Sequence, residues 1–231
     1  MKYGAVLLDI DGTLIDSNDA HAGAWVDAFA AHGRVVPFGR IRPLVGMGGD
    51  KVLSIVAGLD ASVGDGRLIV ELRQAIFARD YLPHLRPTRG AERFLDWLRH
   101  RAIVVSIATS ATAQEVKGLL SIIHAESLAA SATTSNDAEE SKPDPDIVVA
   151  ALRRGGHPAA ETLMIGDTPY DIEAARRAGV GTIALRSGGW WLDDNLAGAI
   201  AIYDDPADLL DHHAGSPFGE DRHTGAVQVT R

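Results

Sequence analysis

The chain of 231 residues contains no cysteine. That absence excludes disulfides, thiolate metal sites and cysteine nucleophiles, and it fits a reducing compartment, so the expected location is the cytoplasm. Basic residues are also few: 22 Lys and Arg against 31 Asp and Glu give a net charge of −9. Nucleic-acid binders ordinarily carry a basic face, so no nucleic-acid partner is expected. No run approaches the roughly 20 apolar residues of a membrane span. The apolar stretch behind Met1 is broken by Asp9 before it reaches the length of a secretory signal. No membrane partner is expected either. What is present is the composition of an ordinary globular protein, 46% hydrophobic and 23% charged, with apolar surface enough for a sizeable core. The length exceeds one average domain and falls short of two, which suits one core with an insertion.

The pattern along the chain divides in the same way. An apolar run, Ala5 to Leu8, reads as a buried strand ending at Asp9. Residues 17–33, 50–58 and 66–82 read as helices, with no convincing alternating strand between Ile15 and Leu85. From Arg89 onwards helices and strands alternate: helix 89–100, strand 102–108, helix 112–123, a weak strand near 129–133, helix 144–155, strand 161–165, helix 169–178 and strand 180–185. Alternation of this kind implies right-handed crossovers and a parallel sheet with helices on both faces, an α/β Rossmann-like fold. The first strand must join that sheet. The expected organisation is therefore an α/β core from 1–15 and 87–211, an all-helical domain from 16–86 inserted after the first strand, and a flexible tail from 212–231. The stretch Leu82 to Gly90, with Pro83 and Pro87, reads as the return hinge.

In an open parallel sheet, ligands gather beyond the carboxyl ends of the strands. Asp9 and Asp11 end the first strand, Thr109 and Ser110 the second, and Gly166-Asp167 a third, with Asp171 four residues on and Lys142 just ahead of a helix. Taken singly, each has a bland explanation: a helix cap, a turn or a solvated lysine. Together they occupy one edge of one sheet. Side chains at i and i+2 of an extended segment point the same way, so Asp9 and Asp11 would share a small volume and need a cation or strong donors between them. Carboxylates without thiols favour a hard ion such as Mg²⁺, which keeps water and phosphate oxygens as ligands. A hydroxyl and a backbone N–H at 109–110, with the Lys142 ammonium, would hold the remaining phosphate oxygens.

The segments "DIDGT" (9–13), "ATS" (108–110), "SKPDPD" (141–146) and "GDTPYD" (166–171) stand in the order of four motifs of a known family. With them the sequence, from about Tyr3 to Leu210, resembles the haloacid dehalogenase superfamily, in its phosphatase branch with a helical cap after the first strand. The resemblance implies Asp9 as the nucleophile that forms an aspartyl-phosphate. It implies Asp11 as the group that protonates the leaving alcohol and then activates water. Thr109, Gly12, Thr13 and Ser110 would hold phosphate, and Lys142 would neutralise nucleophile and phosphate. Mg²⁺ would be bound by Asp9, the backbone carbonyl of Asp11, Asp167 and Asp171, the last directly or through water. The expected substrate is a small phosphorylated metabolite, phosphoglycolate or a sugar phosphate, and the expected assembly a monomer or homodimer.

Rival readings follow from the same residues. The segment "HAGAWVDAFAAHG" (21–33) is similar to the first cap helix of members that include β-phosphoglucomutase, where a histidine at the place of His21 relays protons to the second Asp. The mutase also carries a phosphate-clamping arginine where this sequence has Gly49. A phosphomutase is thus the alternative to a phosphatase. Gly46, in the glycine cluster 46–49, would let the cap approach the substrate closely or merely turn the chain. Phosphonate-cleaving members use a cap lysine, and Lys51 is the only lysine in the inserted block. A non-catalytic module that binds a phosphorylated ligand is a third reading, but it has no need of the acid–base carboxylate Asp11.

Overall fold

The computed structural model describes residues 2–219. Five parallel strands form one sheet in the order β2-β1-β3-β4-β5: β1 Ala5–Leu8, β2 Val104–Ile107, β3 Thr162–Gly166, β4 Gly181–Leu185 and β5 Ala201–Tyr203. Every residue of β1 and β3 is buried, as expected of central strands covered on both faces. The register decides where the chemistry falls. Leu8 pairs with Ile107 on one side and with Ile165 on the other. The carboxyl ends of these three strands are therefore level, and the residues that follow them, Asp9, Ala108-Thr109 and Gly166-Asp167, emerge along one edge. Because β1 lies between β2 and β3, the connections leaving it diverge to opposite sides, which opens a crevice at its end.

Helices α5 Ala91–His100, α6 Ala113–Ile122, α7 Asp146–Gly155 and α8 Pro169–Arg177 cover the faces of the sheet. Helix α8 starts with a reciprocal cap between Thr168 and Asp171, with Pro169 at its first position. Between β1 and α5 the chain is helical: α1 Asn18–Ala31, α2 Phe38–Ile41, α3 Gly49–Ala57 and α4 Gly64–Ile76, the last continued by a π-helical turn, Phe77–Tyr81. Helix α3 stops at Gly58, whose φ of +66° only glycine adopts without strain. The two connections that join this helical segment to the sheet run side by side, with Asp16 N–H donating to the Arg86 carbonyl and Thr88 N–H to the Leu14 carbonyl, each at 3.0 Å. No helix among the described residues is long and apolar enough to cross a membrane.

Two local expectations are corrected, and a segment for which none was stated proves to be ordered. The strand expected near 129–133 is a 3₁₀ turn, Glu126–Ser131, and only Thr133 reaches the sheet, bridged to Ala108 beside the end of β2. In its run "SLAASATT" Leu128 alone is bulky, and the segment has no β-branched residue before Thr133, which gives a strand little support. The segment after β4, in contrast, returns to the sheet as β5 and then forms α10, Pro206–Asp211. The tail expected to be flexible from 212 is docked over its first part. Phe218 is 2% exposed, with its ring centroid 6.4 Å from Phe94 and 5.5 Å from Trp97 on α5. One buried aromatic anchors a segment without leaving any periodicity in the sequence. Residues 220–231 lie outside the described residues.

Candidate active site

At the end of β1, Asp9 is 5% exposed and accepts a 2.6 Å hydrogen bond from the Lys142 ammonium. Lys142 enters from the loop before α7 and is itself 1% exposed. Its Nζ also donates to the Ala108 carbonyl at 2.8 Å and lies 2.7 Å from Asp171 Oδ1. Asp171 Oδ2 is committed to its own helix start, accepting from the Thr168 hydroxyl at 2.6 Å and amide at 3.1 Å. Its Oδ1 has no properly directed hydrogen bond, despite its closeness to Nζ. Asp167 accepts from Asn18 Nδ2 at 2.7 Å and from the Thr13 hydroxyl at 3.3 Å.

Asp9, Asp167 and Asp171 each offer a carboxylate oxygen, all within 4.8 Å of one another. Three buried carboxylates against one ammonium leave the centre over-supplied with negative charge. Burial, reinforced by Asp171 and Asp11 and only partly offset by Lys142, pushes the Asp9 carboxyl up to about 7. Burial, with Asp171 and Asp9 as neighbours, likewise raises Asp167 well above the usual carboxylate range. For Lys142 burial works downward, but Asp171 and Asp9 raise its pKa and keep it charged. An all-oxygen set with surplus negative charge and an unpartnered carboxylate oxygen fits a hard divalent cation such as Mg²⁺.

Asp11 has a different environment. Its Oδ1 receives Ser17 Oγ at 2.6 Å and His21 Nε2 at 2.7 Å. Burial acts to raise this carboxyl, but His21, Ser17 and Arg73 together hold it below its ordinary value. The Arg73 guanidinium, on α4, contacts His21 Nδ1 and Glu115 Oε1. An arginine has no acceptor, so Nδ1 must be unprotonated and the proton sits on Nε2, directed at Asp11. The His21 ring is fixed by stacking on Phe77, centroids 4.0 Å apart and planes within 9°. The two neighbouring carboxylates of the first motif thus sit in opposite electrostatic settings.

A cavity of about 350 Å³ opens over Asp9, Asp11, Thr109 and Ser110. The Thr109 amide is used by the Thr133 carbonyl at 3.1 Å and its hydroxyl accepts from Ala111 N–H at 3.1 Å. The Ser110 hydroxyl donates to the Gly46 carbonyl at 3.2 Å, so its proton is engaged with the helical segment. Gly46, with φ +109°, lies where a side chain would run into Thr168. Its role in this arrangement is close approach of the helical segment to the sheet edge. Gly12 and Thr13 do not line the cavity; they pack on Asp167, and a Cβ at Gly12 would come 2.3 Å from Asp167 Oδ2. Gly188 approaches the same oxygen still more closely, where a Cβ would stand 1.9 Å away.

Several participants carry no sequence signal of their own. Ser17 stands at the N-cap position of α1 and Asn18 is its first residue, but their side chains make no cap bond; they are taken up by Asp11 and Asp167. Arg73 lies among other charged residues of α4, and Glu115 is marked in the sequence only as the last member of a capping box with Thr112, so nothing pairs them. Lys51 points away from the cavity, bonded to the Ser141 carbonyl at 2.6 Å and to Asp144 at 2.5 Å. It is therefore no candidate for imine chemistry.

Comparisons with known proteins agree with this geometry. The family model described as haloacid dehalogenase-like hydrolase matches residues 6–185. N-acetylmuramic acid 6-phosphate phosphatase of Pseudomonas aeruginosa is 29% identical over 91% of this chain and 95% of its own. Phosphoglycolate phosphatase of Pseudomonas syringae pv. syringae is 29% identical over 79% of this chain and 69% of its own. The crystal structure of a hydrolase from Pseudomonas syringae superposes with a TM-score of 0.84 at 28% identity, covering 91% of this chain and 98% of that one. The matched span takes in β1 through β4 and every acidic residue of the site, and the chain belongs to the haloacid dehalogenase-like hydrolase family.

Proposed function

We propose that this hydrolase is a Mg²⁺-dependent phosphatase of small phosphomonoesters that works through an aspartyl-phosphate on Asp9. The observation that carries the reading is the opposite setting of two adjacent carboxylates. Asp9 faces the ammonium and the acidic cluster, whereas Asp11 faces a hydroxyl and an imidazole N–H. Lys142, together with a cation bound at the cluster, would keep Asp9 ionised as the nucleophile, while Asp11, whose partners are a hydroxyl and an imidazole N–H, is left to carry the proton once a phosphoryl dianion lies beside it.

Asp9, Asp167 and Asp171, with the Asp11 backbone carbonyl, would hold the cation, which when bound offsets the charge of the phosphoryl oxygens and of Asp9. Lys142 neutralises Asp9 and the approaching phosphoryl group, while Thr109 and Ser110 border its seat. An Asp9 carboxylate oxygen attacks phosphorus, and the bond from phosphorus to the alcohol oxygen breaks. Asp11 delivers its proton to that oxygen, so the product leaves as a neutral alcohol. A phosphoryl dianion beside Asp11 raises its proton affinity and counters the pull of His21 and Ser17. In the second half, water attacks the phosphorus of the aspartyl-phosphate and gives its proton to Asp11. Inorganic phosphate departs and the Asp9 carboxylate is restored.

The helical segment 16–86 acts in this reading as a cap that closes over the substrate and excludes water. The paired connections at 14–17 and 85–88 are its hinge. Gly49, which packs beneath Trp25, offers no side chain to clamp a second phosphate, and this favours release of phosphate over its return to the substrate. The test is phosphate release from a panel of metabolite phosphates. Activity is expected to vanish with chelator and return with Mg²⁺. Full activity in excess EDTA would refute the metal assignment, and isomerised sugar phosphate without free phosphate would assign a mutase.

A further inference from the structure

The leaving-group end of the cavity carries information on what it admits. Beyond Asp9 and Asp11, the charged side chains lining it among the described residues are Arg73, Asp50, Glu115 and Glu139: one cation against three carboxylates. The one cation is already committed. Arg73 gives one terminal nitrogen to His21 and the other to Glu115, and its Nε is buried without an acceptor. Asp50 accepts only a neutral donor, the Ser141 hydroxyl at 2.9 Å, and Glu139 has no cationic partner among the described residues. Lys142, held by Asp9 and Asp171, is absent from the lining, and so are Lys51 and Arg42. Lys51 is bound to Asp144 and Arg42 to Asp19 and the Gly188 carbonyl.

The uncharged part of the lining is of two kinds. Trp25, Met47, Val52 and Val70 present apolar surface. Gln74 is half-buried and its amide makes no hydrogen bond among the described residues, which leaves two donors and an acceptor for a ligand. An aromatic face with a free amide suits the C–H and hydroxyl surfaces of a polyol. The volume of about 350 Å³ exceeds what a two-carbon acid fills, and it lies within the roughly 300–1,000 Å³ of ligand pockets.

Resting on the phosphatase reading above, we infer that the substrate is a polyhydroxylated phosphomonoester whose alcohol carries no second anion, being either neutral or bearing an amine. A carboxylate or second phosphate at this end would lie among like charges, with no free cation to pair with among the described residues. An ammonium group would find Asp50 and Glu139 unpaired. The inference sets phosphoglycolate, one of the two substrates expected from the sequence, among the poor ones.

The experiment compares kcat/KM on glucosamine 6-phosphate, glucose 6-phosphate and 6-phosphogluconate, which share a six-carbon skeleton, together with phosphoglycolate and p-nitrophenyl phosphate. The amine-bearing and neutral sugars are expected to exceed the two carboxylates by about tenfold or more, which corresponds to about 1.4 kcal/mol. In the double variant Asp50→Asn, Glu139→Gln that ratio should fall toward one, because the asparagine keeps an acceptor for Ser141 while the charges are gone. A carboxylate-bearing substrate preferred by the wild type, or a ratio unmoved in the double variant, overturns the inference and leaves the phosphatase reading standing if p-nitrophenyl phosphate is hydrolysed. Failure to hydrolyse any of the five, p-nitrophenyl phosphate included, overturns both.

Discussion

The floor and the roof of the cavity are built on different terms. The floor, at the ends of β1, β2 and β3, consists of buried polar groups that are almost all satisfied by one another: Lys142 on Asp9, Asn18 and Thr13 on Asp167, and Thr168 on Asp171. The roof, on α1, α3 and α4, mixes apolar side chains with a glutamine whose amide makes no hydrogen bond among the described residues, and it meets the floor through several polar contacts, His21 to Asp11 and Lys51 to Asp144 among them. These include Arg73 to Glu115, Ser110 to the Gly46 carbonyl and Tyr170 to the Pro43 carbonyl at 2.7 Å. A floor of interlocked charges fixes one reaction, since moving any member leaves another buried and unpaired. The roof groups that face the cavity without bonding to the floor, Gln74 and the apolar side chains, bear on the ligand and can differ without disturbing the chemistry.

Perturbing the floor should cost most. Asp9→Asn keeps the size of the side chain but removes the nucleophile, and turnover measured by phosphate release should fall to background. Asp11→Asn keeps the nucleophile and removes the proton carrier, with an expected loss of about 10² to 10⁴ on an alkyl phosphate. The loss should be smaller on p-nitrophenyl phosphate, whose leaving group departs without much protonation. Equal losses on both, with chemistry limiting each, would mean that Asp11 only organises the centre.

The contact between roof and floor should give an intermediate effect, seen in stability. Arg73 and Glu115 have side chains 11% and 8% exposed. Arg73→Met strands a buried carboxylate and should destabilise by roughly 3 kcal/mol, in the range for one partner lost from a buried pair. The double variant Arg73→Met, Glu115→Met should recover part of that loss in denaturant unfolding. No recovery would show that the pair contributes through His21 and packing rather than through charge.

The smallest effect expected is one of pH on the metal-free protein. The Asp9 carboxyl titrates at 3.8 as an ordinary side chain and near about 7 in the fold. Between these values the folded state holds a proton that the unfolded chain has released, so stability should decline as pH rises through that window. Asp167 is raised as well and acts in the same sense. Asp11 and Glu115, both lowered, act oppositely at the acid end. The melting temperature in EDTA should therefore fall from about pH 5 to about pH 7.5, and the increment from added Mg²⁺ should grow over the same range. A flat profile in EDTA would place the acidic cluster in contact with more water than its burial implies.

The floor was legible in the sequence and the roof largely was not, for a physical reason. Strand ends are located by short apolar runs, so a carboxylate or hydroxyl placed directly after such a run has a known position. Asp9, Thr109 and Asp167 were found in that way. Lys142 was found by its motif. Helices of the roof have several faces, and composition does not tell which polar side chain turns inward. Arg73, Gln74 and Glu115 therefore look like any solvated residue until α4 and α6 are brought together. Ser17 and Asn18 are hidden for the opposite reason: at a helix start they have an adequate local role, yet Ser17 serves Asp11 and Asn18 the distant Asp167. Phe218 shows the same limit at the other end of the chain, where one aromatic decides whether a segment docks.

The central claim is that Asp9 carries the phosphoryl group. The most direct test is acid quenching of the Asp11→Asn protein, in the presence of Mg²⁺, within the first turnover of p-nitrophenyl phosphate, followed by mass analysis of the peptide containing Asp9. The account predicts a burst of nitrophenol of about one equivalent per enzyme, with one added phosphoryl group on Asp9, because hydrolysis of the intermediate is slowed more than its formation. A phosphoryl group on any other residue, or steady release of phosphate with neither burst nor modified peptide, would contradict it.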